Sequence, residues 1–127
     1  MRLLSVALLT IAAGAARAQS SLTPHQRLAR EVYSELISIN TADSVGSVTR
    51  AVEAMAKRFR AAGFPEADVQ VLIPPSKPTK GNLVVRLHGR GGANGPKPIL
   101  LLAHLDVVAA RREEWPRDPF TLTEDGG

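Results

Sequence analysis

The 127-residue chain contains no cysteine. That excludes disulfides, thiolate metal ligands and the lipid-modified cysteine of a bacterial lipoprotein. Any zinc has to be held by His, Asp or Glu. Aromatic residues make up 4% of the chain, too few for the stacking platforms of single-stranded nucleic-acid binding. No apolar run approaches the roughly 20 residues of a membrane-spanning helix. There is no block of like charge and no repeat of solenoid period. Hydrophobic content of 44% and charged content of 22% are ordinary for a globular protein. The length suits one small domain.

The first residues read as an export signal. Arg2 is a basic start, Leu3 to Ala13 an apolar core, and Ala16-Arg17-Ala18 a small-x-small cleavage site. This predicts a signal peptide over residues 1–18, a mature chain from Gln19, and a periplasmic or secreted product with no membrane attachment after cleavage. Arg2 and Arg17 leave with the signal and no acid does, so the formal charge of +4 falls to +2. The remaining basic residues are scattered over helix faces (Arg27, Arg30, Arg50, Lys57, Arg60). Nucleic acid is not an expected partner.

Thr23-Pro24 reads as an N-cap followed by proline in the first turn. Leu28, Val32 and Leu36, widened by Ala29, Tyr33 and Ile37, predict a helix from Pro24 to Ile39. After a polar loop, Asn40 to Gly46, Ser47 caps a second helix with the stripe Val48, Val52, Met55 and Phe59. Gly63 and Pro65 end it. The period then changes to two. Asp68 to Ile73 and Asn82 to His88 read as strands, separated by a loop with three prolines, Pro74, Pro75 and Pro78. The GRGGANG stretch after His88 lacks dinucleotide-fingerprint spacing and reads as a turn. Ile99 to Leu102 reads as a buried third strand. Phe120 to Thr123 reads as a short fourth strand, with hairpin turn signals after it.

The third strand runs into Ala103-His104-Leu105-Asp106. Catalytic groups of open α/β sheets gather at the carboxyl ends of strands. Imidazole ligates zinc, and an aspartate two residues on can orient the ring. His104 and Asp106 are therefore the candidate site, one half of a metal centre. His-x-Asp alone carries little weight. His25 and His88 have no partner at ligand spacing, and both are expected to be solvated.

The wider segment carries more. His104, Asp106, Val107 and Val108, then Trp115, then Asp118-Pro119-Phe120 follow in order, with Asn82 to Gly89 (NLVVRLHG) upstream. From about Leu28 onward the chain resembles the acetylornithine deacetylase, succinyl-diaminopimelate desuccinylase and carboxypeptidase family of dizinc metallopeptidases. The resemblance implies an α/β fold, the N-terminal part of an open mixed-sheet zinc-exopeptidase-like catalytic domain over residues 19–127. It implies two zinc ions in the complete enzyme, one held by His104 with Asp106 orienting the imidazole. It also implies hydrolysis of an amide bond in a peptide or N-acyl amino acid, and a homodimer for the complete enzyme. Ala109 stands where the family often has proline, which affects loop stiffness more than ligation.

The family's bridging aspartate, general base and remaining ligands have no counterpart in these residues. Glu113 and Glu114 are adjacent but sit before Trp115, the wrong place for the family's catalytic pair, and read as loop acids. The expectation is an incomplete N-terminal portion of an exported amidohydrolase, inactive alone. A second reading is a non-enzymatic secreted α/β binding or interaction module.

Overall fold

A computed structural model describes residues 22–91 and 95–125. The expected signal peptide lies outside the described residues, as do positions 92–94 within GRGGANG and the terminal Gly126-Gly127. Among the described residues no helix is long and apolar enough to cross a membrane.

Helix α1 spans Pro24–Ser38. It begins with a capping box. The Thr23 hydroxyl accepts from the Gln26 amide at 3.3 Å, and the Thr23 amide donates to Gln26 Oε1 at 2.8 Å. Two orphan donors of the first turn are satisfied reciprocally. Helix α2 spans Val48–Ala61, capped by Ser47. Arg58 and Arg60 in its last turn complement the negative end of the helix dipole. Gly63 follows at φ 89°, a left-handed conformation that suits glycine. Phe64 packs edge-on against Phe59, with ring centroids 5.2 Å apart.

A 3₁₀ turn at Glu66–Asp68 leads into β1, Val69–Leu72, and β2 is Asn82–Val85. The strands pair antiparallel with Val69 opposite Val85 and Val71 opposite Leu83. Alternation puts Val69, Val71, Leu83 and Val85 on one face, against α2, and Val84 on the other. The core is small. It consists of Val52, Met55, Ala51 and Ala56 of α2, with Val69 and Ala42. The two alanines, fully buried, let the sheet approach the helix closely. Val69 is the largest fully buried side chain, and its burial contributes about 1.5–3 kcal/mol.

The proline-rich β1–β2 connection is tied to the start of α2. The Thr49 hydroxyl donates to the Pro78 carbonyl at 2.6 Å and accepts from the Gly81 amide at 2.8 Å. A Cβ on Gly81 would sit 2.8 Å from that hydroxyl oxygen, so glycine is needed for the approach. Lys80 pairs with Asp43 of the interhelical loop. That hydrogen bond, and then the lysine's charge, hold the Asp43 carboxyl below the usual carboxylate range.

Helix α1 is held more loosely. None of its residues is fully buried, and Leu28 is half exposed. Glu35 pairs with Arg58 of α2. Arg30 grips Glu124 through two guanidinium nitrogens, the Nη2 contact at 2.8 Å, and so ties α1 to the last described segment.

Helices plus a sheet give the expected α/β content, but the sheet among the described residues is a two-stranded antiparallel hairpin rather than an open mixed sheet. The third strand is a correction. Ile99 to Leu102 forms no ladder and is 83–90% exposed. A short apolar run becomes a buried strand only where neighbours cover it, and a cavity of about 990 Å³ separates these residues from Val85 to His88. The fourth strand is a second correction. Asp118 accepts from the Phe120 amide at 2.9 Å through its side chain and from the Thr121 amide at 3.3 Å through its carbonyl. Those backbone donors go into a turn rather than a ladder.

Candidate functional site

His104 and Asp106 lie on the irregular segment that follows the exposed apolar run. Asp106 curls back on the imidazole. His104 Nδ1 is 3.1 Å from the Asp106 carbonyl oxygen and 3.2 Å from its Oδ1. A carbonyl and an ionised carboxylate can only accept. A neutral imidazole in this geometry carries its proton on Nδ1 and its lone pair on Nε2. Among the described residues nothing hydrogen-bonds Nε2, and the side chain is 84% exposed. This is the disposition in which a histidine offers one nitrogen to a ligand while a carboxylate holds the other. With Asp106 63% exposed as well, the pair adds little to stability. Its consequence is orientation.

The segment is anchored from the other half of the chain. Thr41, 3% exposed in the loop after α1, donates its hydroxyl to the Leu105 carbonyl at 2.7 Å. A cleft of about 400 Å³ opens beside the pair, between Tyr33, Leu36 and Ile37 of α1, the backbone from His104 to Val108, and Trp115 with Phe120. Its lining is mostly apolar, with the imidazole and Asp106 at one edge. A 3₁₀ turn at Arg112–Glu114 precedes Trp115. Arg112 donates to the Trp115 carbonyl at 2.7 Å. Arg111 lies 3.9 Å from Glu114, so Glu114 is occupied in a surface loop, as the sequence suggests for both loop acids.

His88 is solvent-exposed, as expected, but it has a partner that spacing does not show. Its Nε2 is 2.8 Å from Asp68 Oδ1, and Asp68 is mostly buried. The signal lies in the hairpin register. Continuing Val69 opposite Val85 places Asp68 opposite Arg86, and the Arg86 amide donates to the Asp68 carbonyl at 2.9 Å. His88, two residues on, is the diagonal neighbour of Asp68. The ring is still largely exposed, and the pair staples the open end of the hairpin. His25 sits in the exposed first turn of α1.

A catalytic zinc takes three protein ligands as a rule. Among the described residues no three His, Asp or Glu side chains converge on one point. The donor set that His104 and Asp106 begin, one imidazole with its carboxylate, is chemically suited to zinc but does not by itself make a catalytic site.

No family model and no solved structure matches the chain. It is similar to curated proteins of one name. An acetylornithine deacetylase of Yersinia pseudotuberculosis is 35% identical over 99 residues, covering 74% of this chain and 25% of that protein. An acetylornithine deacetylase of Klebsiella pneumoniae is 39% identical over 74 residues, covering 58% of this chain and 17% of that protein. One from Dictyostelium discoideum is 38% identical over 55 residues, covering 42% and 12% respectively. The chain thus corresponds to about an eighth to a quarter of the length of these relatives, and its likeness is to deacetylases that are hydrolases by name.

Proposed function

We propose that this chain is part of an exported, zinc-dependent amidohydrolase of the acetylornithine deacetylase and carboxypeptidase family, acting on an amide bond of an N-acyl amino acid or a short peptide. The observation that carries the reading is the His104–Asp106 pair: Nδ1 is engaged by Asp106, while Nε2 is exposed and carries the lone pair. The names of the relatives support the substrate class, an amino acid carrying an acyl group. In this reading His104 is one metal ligand and Asp106 its orienting partner. The relatives extend well beyond the stretch that this chain matches, and the remaining ligands and the general base are assigned to such further residues. Bound zinc supplies Lewis-acid activation of a water and of the amide carbonyl. This chain's own contribution is to hold one imidazole in the ligating tautomer at the edge of an apolar cleft. As it stands, the chain alone does not turn over substrate.

Two measurements test this. The longest polypeptide encoded by the reading frame, supplied with zinc, should release amine from N-acetyl amino acids. His104→Ala should nearly abolish that activity, and Asp106→Ala should lower it about 10–100-fold, the usual effect of losing a carboxylate behind a metal-bound histidine. His25→Ala and His88→Ala should leave it near the unmutated level. Calorimetric zinc titration of the 127-residue chain should show weak binding that His104→Ala barely changes. Tight uptake of two ions, lost on His104→Ala, would mean the chain holds a complete centre and would overturn the partial-site reading. Hydrolysis that survives both His104→Ala and chelation would remove the metal from the proposal.

A further inference from the structure

We propose that Thr41 is a positioning residue for the His104–Asp106 pair, selecting through a single hydrogen bond which nitrogen of His104 is protonated. Three observations carry this. The Thr41 hydroxyl donates to the Leu105 carbonyl at 2.7 Å across 64 positions of sequence. Among the described residues no other hydrogen bond ties residues 99–110 to the rest of the chain. Thr41 is itself fixed. The Asn40 side chain accepts from the Ala42 amide at 3.0 Å, the Asn40 carbonyl from the Ser47 amide at 2.9 Å, and the Ala42 carbonyl from the Gly46 amide at 2.8 Å. A Cβ on Gly46 would fall 2.5 Å from backbone atoms of both Asn40 and Ala42. The loop is closed so tightly that only glycine fits there, and Thr41 and Ala42 are its buried centre.

The consequence follows from peptide geometry. The Leu105 carbonyl shares one planar unit with the Asp106 nitrogen and Cα. Anchoring that oxygen fixes the direction in which Asp106 leaves the peptide plane. Both acceptors of His104 Nδ1 belong to Asp106, its carbonyl and its Oδ1. The hydroxyl thus acts on His104 only through Asp106. Thr41 is β-branched, so its χ1 is stiff and its hydroxyl direction narrow. Half of the candidate site is thereby set by the loop between the helices.

This deepens the proposed function, because it rests on Nε2 of His104 being the nitrogen offered to a metal, yet its test needs no metal. The probe is the tautomer of each histidine in the metal-free, full 127-residue chain, read from ring ¹⁵N shifts at about pH 8, above the ordinary imidazole range. His104 should show the Nδ1–H tautomer. Thr41→Val, which keeps the shape and removes the donor, should move His104 toward the mixture of a free histidine. The tautomer ratio should change about five-fold, equivalent to about 1 kcal/mol for one hydrogen bond. Thr41→Ser, which keeps the hydroxyl, should hold the unmutated ratio. His88, held by Asp68, should not move in either variant and reports that the hairpin is intact. An unchanged His104 tautomer in a folded Thr41→Val chain overturns the proposal. If Thr41→Val loses the fold, seen as movement of His88 as well, Thr41→Ser decides, and a free-histidine mixture in that variant overturns the proposal equally. The activity of His104→Ala in the longest encoded polypeptide separates the two readings. If that activity survives while Thr41→Val still shifts the tautomer in the 127-residue chain, the positioning role stands and the metal reading fails.

Discussion

Replacing Thr49 by valine removes one hydroxyl that serves two backbone groups, and the cost can be worked from their surroundings. The Gly81 amide is buried and donates to Thr49 Oγ1 at 2.8 Å. The Pro78 carbonyl accepts from the same oxygen at 2.6 Å but lies in an exposed residue. Loss of the hydroxyl leaves the Pro78 carbonyl free to hydrate at little cost. The Gly81 amide has no such recourse, and a buried unsatisfied donor costs about 1–3 kcal/mol. The added methyl returns less than about 0.8 kcal/mol, because its pocket is already close-packed against Gly81. The net expectation is a loss of about 1–2 kcal/mol, or about 5–15 °C in melting temperature for a domain of this size. Urea unfolding at fixed protein concentration measures the first quantity. Hydrogen exchange of the Gly81 amide, compared with Ala56 in the core, localises it. Protection should fall further at Gly81 than at Ala56. Thr49→Ser should keep the Gly81 protection and lose only a methyl group's worth of burial. A Thr49→Val chain that melts like the unmutated one, with Gly81 equally protected, would refute the argument that this hydroxyl holds the proline-rich loop to α2.

The carboxyls of Asp43, Glu66 and Glu124 are held below their ordinary range by hydrogen bonds first, to Lys80, Arg60 and Arg30 respectively, with the partner's charge adding to each. Lowered folded-state values mean a contribution that is complete above the ordinary carboxylate range and lost as pH falls below about 4, so the urea midpoint should decline there. A midpoint flat through that range would contradict the pairing, and Arg30→Gln should remove the Glu124 share alone. Leu100→Ser with Leu102→Ser should lower both self-association and binding of an apolar dye, since Leu100 is 83% and Leu102 89% exposed. Light scattering as high for this double variant as for the unmutated chain would mean the run is not the adhesive surface. Expression in a secreting bacterial host should yield a chain starting at Gln19. Finding Met1 on exported material would remove the export signal from the proposal.

The parts of this fold that depend on near neighbours in sequence are legible from it. The caps Thr23 and Ser47, the stop at Gly63, and the stripe of Val52 and Met55 locate both helices to within a residue or two. Alternation finds β1 and β2, although the strand read from Asn82 to His88 ends at Val85, and Leu87 beyond it is 85% exposed. Asp106 meets His104 because it is two residues away. What alternation and spacing do not reveal is set by partners far along the chain. Nothing local marks Asp68 for His88, twenty positions on, until the hairpin register is known. Nothing local marks Thr41 for Leu105 either. The apolar run Ile99 to Leu102 is misread for the same reason. Four large apolar residues specify a wish for burial, but a strand exists only when a neighbour accepts its hydrogen bonds, and none of the described residues does so. A centre whose ligands are dispersed along a chain divides in the same way. The His-x-Asp half is local and can be read from sequence, whereas the geometry that makes it useful is long-range, and begins here with the hydroxyl of Thr41.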